Sequence, residues 1–341
     1  MQQARQNYHL QFWITLLSVA LFATKIAAYY FTHSLAILTD ALESIVNVLA
    51  GFIGLYSLYI AAKPRDTDHP YGHGKAEFVS AGIEGTLILA AGALIIYETI
   101  ENILANRPVQ KLDMGLALVA VTALLNYAAG YACLTIGKKN NSLALQSSGR
   151  HLQVDTYATF AVIAGLVLMM FTHLYWIDKV IALAISCLIL YNGYSIVRAS
   201  LAGIMDEADM SLLKKFVTAL NANRRHNWVD LHNLRVIRYG VTLHVDCHLT
   251  VPWYLNIHEA HAEVDALEAL IVREFGDAIE LFVHTDGCLP FQCTICIKED
   301  CTRREHPFTG RMEWTLDNLL TNQKHNAQRA GSIPHAPAGA V

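Results

Sequence analysis

The sequence predicts an α-helical membrane protein with six transmembrane helices and a following α+β domain of order α-β-β-α-β. Three observations carry that prediction. Hydrophobic residues make up 54% of the 341 and charged residues 16%, against roughly 45–50% and about 25% in soluble domains. Six apolar runs each reach the roughly twenty residues that cross about 30 Å of hydrocarbon. Beyond Ala202 the pattern shifts to short amphipathic and alternating segments.

The six runs are Leu10–Phe31, Leu35–Ala62, Phe78–Leu104, Met114–Ile136, Leu152–Phe171 and Tyr175–Val197. Met114–Ile136 carries no charge, the first run only Lys25, and the second only Asp40 and Glu43. Lys63-Pro64 closes the second, because proline donates no amide hydrogen and restricts the residue before it. The stripe Gly82, Gly85, Ala90, Gly92, Ala93 suits close helix packing, and the long stem of Lys25 suits reaching the interface. Glu84 and Glu98, in or near span three, are expected at an aqueous cavity or near a span end.

Orientation follows from the flanking bases. Arg5, Lys63, Arg65, Lys75, Lys138, Lys139, Arg150 and Arg198 lie at one set of ends, and only Arg107, Lys111 and Lys179 at the other. Both termini are therefore expected in the cytoplasm, with the chain spanning the plasma (inner) membrane. Met1–His9 is polar and no small-residue cleavage site follows, so no cleavable signal peptide is expected.

In the soluble part, Ser211–Ala222 and Asn256–Phe275 read as amphipathic helices. Asn233–Tyr239 and Val241–Val251 alternate about Gly240 as a hairpin, and Ala278–His284 reads as a last strand. This gives helices on one face of a small sheet. The expected divisions are a transport domain at 8–204, an α+β domain at 205–287, a Cys-rich segment at 288–317 and a disordered polar tail at 318–341. A net charge of −4 and a pI near 6.5 give no basic face for nucleic acid. No phosphate-binding Walker A loop is present, and the chain is not expected to be an enzyme.

The chemistry sits in the apolar runs. Glu43 and Asn47, and likewise His151 and Asp155, stand four residues apart, which puts each pair on one helical face. Ionisable groups at membrane depth are functional hypotheses by default. Together the four supply nitrogen and oxygen donors for one divalent transition metal, with a charge of −2 when His151 is neutral. The plainer alternative is interhelical hydrogen bonding. A metal must displace the proton from a histidine, and histidines ordinarily titrate near neutrality, so exchange of metal for H⁺ follows without ATP.

Two further clusters stand out. Asp66, His69 and His73 lie in a short loop with Pro70, Gly72 and Gly74, either as a surface metal site or as a solvated loop. Cys288, Cys293, Cys296 and Cys301, with His306 beyond, have the spacing C-x4-C-x2-C-x4-C. Cytosolic thiols stay reduced, so a structural Zn²⁺ is the first expectation. An iron–sulfur centre and unliganded cysteines are the alternatives.

The loop His69-Pro-Tyr-Gly-His-Gly-Lys-Ala-Glu77 resembles the signature of the cation diffusion facilitators. Ser34-Leu-Ala-Ile-Leu-Thr-Asp-Ala41 is similar to that family's second span and His151-x-x-x-Asp155 to its fifth, the likeness covering about residues 8–287. The resemblance implies a homodimeric metal/proton antiporter in the lipid bilayer, exporting metal through Glu43, Asn47, His151 and Asp155, with the loop site on Asp66, His69 and His73. It further implies zinc at a dimer interface on His232, His248, His261, His284 and Asp286, and an interlock of protomers through Lys75 and Asp206. Glu43 departs from the Asp or His of many members and Asn47 from their Asp; His151 with two carboxylates stays compatible with Zn²⁺, Cd²⁺, Co²⁺ or Fe²⁺. The rival functions are a membrane-anchored metal sensor working through the His-rich and Cys-rich region, and a redox enzyme using the cysteine cluster as an electron carrier.

Overall fold

The computed structural model describes residues 2–32, 35–104, 115–172, 176–240 and 242–326. Within the helices, some side chains, including those of Asp40, Glu43 and Glu98, lie outside the described residues, as do Arg107 and Lys111 entirely. The chain forms two compact units, Met1–Met205 and a second that opens with Asp206–Arg238 and resumes at Thr242.

The first unit holds six long helices: α1 (Gln2–Thr32), α2 (Leu35–Ala61), α3 (Ala76–Leu104), α4 (Gly115–Lys139), α5 (Leu143–Thr172) and α6 (Trp176–Ile204). Five are long and apolar enough to cross a membrane among the described residues: α1, α2, α3, α4 and α6. The other, α5, opens nine residues before the expected span, with Gln146, Ser147, Ser148, Arg150, His151, Gln153 and Asp155 in its first half.

α3 packs along α6, α4 along α5 and α1 along α2. Small residues permit these approaches. A Cβ on Gly85 of α3 would meet Val197 at 2.9 Å, and one on Gly149 of α5 would meet the Gly130 carbonyl of α4, also at 2.9 Å. The Gly130–Gly149 crossing seats the turn of α5 that carries His151. Lys25 does not reach outward as expected: it is buried and donates to Ser44 of α2 at 2.8 Å, a polar partner one helix away.

The second unit follows α7 (Met210–Ala222), β1 (Asp230–Tyr239), β2 (Thr242–Val251), α8 (Ile257–Phe275) and β3 (Ile279–Gly287). Asp209 caps α7, accepting from the Ser211 and Leu212 amides. Asn256 and Glu259 form a reciprocal capping box on α8. The sheet order is β1-β2-β3. β2 and β3 are parallel, His248 facing His284 and Thr250 facing Asp286, so α8 is the crossover a parallel pair requires.

The core of this unit gathers Phe216, Trp228, Leu231, Val245, Leu249 and Leu267 with Ile295, Met312, Trp314 and Leu319 from beyond β3. The expected disordered tail at 318 is therefore corrected. A short helix α9 (Leu316–Leu319) follows Trp314, and residues 318–326 pack against the sheet, with Leu319 and His325 buried. The cause is apolar: Trp314, Leu316, Leu319 and Leu320 pack in the core beside polar residues that dominate the composition. Arg224 lies 4.1 Å from the Trp314 ring and donates to the Met312 carbonyl at 2.7 Å, holding the segment in place.

Candidate metal centres

In the bundle, α2 presents Asn47 and α5 presents His151 and Asp155. Asn47 Nδ2 donates to Asp155 Oδ2 at 3.0 Å, and His151 Nδ1 lies 3.6 Å from Asp155 Oδ1. Two of the four expected residues, Asn47 and His151, thus converge on the carboxylate of a third, Asp155. Glu43 is one turn before Asn47 on α2, its side chain outside the described residues. A carboxylate, an imidazole and an amide oxygen form a set that can take a borderline divalent ion.

A small cavity adjoins this group, and Gln11 of α1 and Glu84 of α3 line it with Asn47 and His151. Glu84 is buried and accepts from Ser147 at 2.6 Å and Ser148 at 3.3 Å. The sequence expectation of Glu84 at an aqueous cavity or a span end agrees with its place on this cavity, whereas Gln11 is not singled out by the sequence. Their one signal is polarity inside an apolar run, which does not say which helix each meets.

The loop between α2 and α3 draws Asp66, His69 and His73 together, their donor atoms lying within 4.8 Å of one another. His69 Nδ1 is 3.0 Å from Asp66 Oδ1, and His73 Nε2 is 3.3 Å from Asp66 Oδ2. The His69 amide also donates to Asp66 Oδ1 at 2.7 Å, and Gly72 turns the loop at φ +90°. Desolvation acts to raise the exposed Asp66 carboxyl, but the His69 amide and imidazole outweigh it and hold the carboxyl below its ordinary range.

A second triad stands on the sheet: the donor atoms of His232, His248 and Asp286 lie within 4.8 Å. His248 Nδ1 is 3.5 Å and His232 Nε2 3.8 Å from Asp286 Oδ2. Burial pushes the His232 imidazole down, against the pull of Asp230, which favours the neutral form a metal needs. His284 joins at the rim, 3.6 Å from Asp286 Oδ1. His261 does not: it is exposed on α8 beside Asp265, 3.6 Å away. Sequence reading missed Lys324 and His325. Lys324 Nζ lies 3.2 Å from Asp286 Oδ1, and His325 Nδ1 lies 2.7 Å from Asp230 Oδ1.

The four cysteines line one cavity of about 20 Å³. Their sulfurs are not among the donor triads within 4.8 Å of one another. Arg304 ties their loop down, donating to the carbonyls of Cys293, Cys296 and Lys298 at 2.7, 3.1 and 2.7 Å. Burial pushes the thiols of Cys288 and Cys296 up, while the amides of Trp253 and Lys298 donate to them and act the other way. Lys75 donates to the Ile204 carbonyl at 3.4 Å, and Asp206 opens the second unit at φ +56°.

Comparison with known proteins adds sequence likeness to this geometry. The family described as cation efflux transmembrane domain matches residues 12–205, and that described as cation efflux protein, cytoplasmic domain, matches 213–288. An uncharacterised transporter of Synechocystis is 30% identical over 75% of this chain and 83% of its own. The cation-efflux pump FieF of Shewanella oneidensis is 28% identical over 82% and 96%, and that of Salmonella paratyphi A 25% over 80% and 90%.

Proposed function

Because this chain belongs to the cation efflux family, we propose that the metal it exports is a divalent transition ion, Zn²⁺ first, carried out of the cytosol in exchange for protons. The observation that carries the reading is the meeting of Asn47 and His151 on Asp155 between two helices of the bundle. Glu43, Asn47, His151 and Asp155 are the transport ligands in this reading. One imidazole with carboxylates favours Zn²⁺, Cd²⁺, Co²⁺ or Fe²⁺ over ions that prefer oxygen alone.

Proton coupling follows from the ligands themselves. An ion displaces the protons of His151 and the carboxylates when it binds, and protonation from the far side releases it. The loop triad of Asp66, His69 and His73 and the sheet triad of His232, His248 and Asp286 collect metal on the cytoplasmic face. There the match to the cation efflux cytoplasmic domain supports a homodimer, with His284 completing the interface site and Lys75 and Asp206 locking the protomers. The charge bias supports cytoplasmic termini.

For the four cysteines the reading is a resident structural Zn²⁺, supported by their spacing and by their lining one cavity; no three of their sulfurs stand within 4.8 Å here, so binding would draw them together. Bound there, the ion would cross-link residues 288–301. Zinc content of the purified chain, against one with all four cysteines changed to serine, tests that part.

The transport reading is tested in proteoliposomes loaded with a pH-sensitive dye. Zn²⁺ uptake with simultaneous counterflow of H⁺ supports it, and uptake with no pH change contradicts the exchange.

A further inference from the structure

Around one cavity in the bundle, four buried atoms make no hydrogen bond among the described residues: Gln11 Oε1, Asn47 Oδ1, Glu84 Oε1 and His151 Nε2. Their residues come from α1, α2, α3 and α5, and all four line a single cavity of about 10 Å³. That space admits about one water-sized particle.

The opposite end of each side chain fixes which atom is left over. Asn47 Nδ2 donates to the Asp155 carboxylate at 3.0 Å, so its oxygen turns away; the reversed amide would set oxygen against oxygen. Asp155 Oδ1, 3.6 Å from His151 Nδ1, favours the proton on that nitrogen and leaves Nε2 as a lone pair. Gln11 Nε2 donates to the Gly51 carbonyl at 3.4 Å, freeing Oε1. Glu84 spends Oε2 on Ser147 and Ser148 at 2.6 and 3.3 Å, and Oε1 stays unused.

Three oxygens and one imidazole nitrogen are left over, all four of them acceptors once Glu84 is ionised. Buried acceptors facing one another are unfavourable unless something positive sits among them. A single water has two protons for four acceptors, whereas one divalent cation serves all four. One nitrogen with three oxygens is a donor set for a borderline transition metal, and a metal that displaces the Glu84 proton meets two carboxylates, Glu84 and Asp155, that match its charge.

We propose that this cavity is a second cation subsite of the transport path, binding a dehydrated divalent transition metal through Gln11, Asn47, Glu84 and His151. The proposal rests on the transport reading and extends it, because Asn47 and His151 each offer one face to Asp155 and the other to the new subsite. Gly51 stands one turn beyond Asn47 toward Lys63, and Ser148 lies before His151 toward Lys139. The subsite is thus nearer the lysine-rich ends and is met first from that side.

Initial rates of Zn²⁺ and Cd²⁺ uptake by the full chain in proteoliposomes test it. Glu84→Gln is expected to raise the KM for Zn²⁺ at least about tenfold, and Gln11→Met, which keeps the volume but loses the oxygen, several-fold. Glu84→Cys places a soft donor in the subsite and is expected to shift the preference toward Cd²⁺ by about tenfold. A Glu84 that merely clamps Ser147 and Ser148 would weaken both metals alike. Wild-type KM values in Glu84→Gln and Gln11→Met, or an unchanged Cd²⁺/Zn²⁺ ratio in Glu84→Cys, overturn the subsite. If Asp155→Ala is inactive in the same assay while those variants match wild type, only the subsite falls; transport by Asp155→Ala removes the underlying reading.

Discussion

The Asn47 carboxamide donates to the Asp155 carboxylate at 3.0 Å, joining α2 to α5 across 108 residues of chain. The amide supplies a proton where a second carboxylate would supply a charge. Asn47→Asp sets two carboxylates in hydrogen-bond reach, and like charges that close favour a shared proton or a bound cation. The metal-free variant is expected to melt lower than wild type. It should also gain more from Zn²⁺, since a ligand of the folded state alone adds stability. Thermal melts in detergent with and without Zn²⁺ check this, with an expected extra gain of about 3 °C or more; equal gains contradict it.

Lys324 holds its ammonium 3.2 Å from Asp286 Oδ1 and donates to the Gly287 carbonyl at 3.1 Å. A metal on His232, His248 and Asp286 must compete with that internal cation. Lys324→Met is expected to tighten Zn²⁺ binding at the sheet triad roughly three- to tenfold, the size of a modest electrostatic coupling. Titration against a chromophoric chelator, with Asp286→Asn as the reference that weakens the site, measures it. Weaker binding in Lys324→Met would mean that the lysine supports the site.

Trp314 lies in the core of the second unit, 1% exposed, beneath the Arg224 guanidinium. Trp314→Ala is expected to destabilise that unit by about 3–5 kcal/mol, the range for deleting a large buried aromatic. A lowered melting transition, with residues 316–326 losing amide-exchange protection first, is the expected outcome. Loss confined to exposed positions would separate the segment from the core.

Glu263 accepts from Arg225 at 2.7 and 3.2 Å and from Asn227 at 2.8 Å. Burial acts to raise its carboxyl, but these bonds outweigh it and hold the carboxyl below its ordinary value. A folded value below the unfolded one means that the unfolded chain binds the proton more readily. The contribution to stability is therefore full above the ordinary glutamate range, about 4.3, and is lost as pH falls through the folded value. Wild type should lose more melting temperature than Glu263→Gln between about pH 5 and pH 3, and parallel losses would contradict this.

The sequence made the bundle legible because hydropathy counts residues and a membrane demands about twenty of them. It made Asn47, His151 and Asp155 legible because i,i+4 spacing fixes a face before any neighbour is known. Gln11 and Glu84 needed the docking of α1 and α3, which periodicity alone does not specify. Lys25 was misjudged for the same reason, its partner Ser44 lying on another helix. The segment after residue 317 was misjudged by composition, since a few apolar residues with Trp314 hold a polar stretch against the core. Lys324 and His325 reach Asp286 and Asp230 only because that stretch folds back.

The most direct test of the account is Zn²⁺ uptake against its gradient by the full chain and by Asp155→Ala, in proteoliposomes carrying an imposed pH gradient. The account predicts accumulation by wild type that collapses when the pH gradient is dissipated, and none by Asp155→Ala even where it melts at the wild-type temperature. Accumulation by Asp155→Ala at the wild-type rate would place the transport site elsewhere in the molecule.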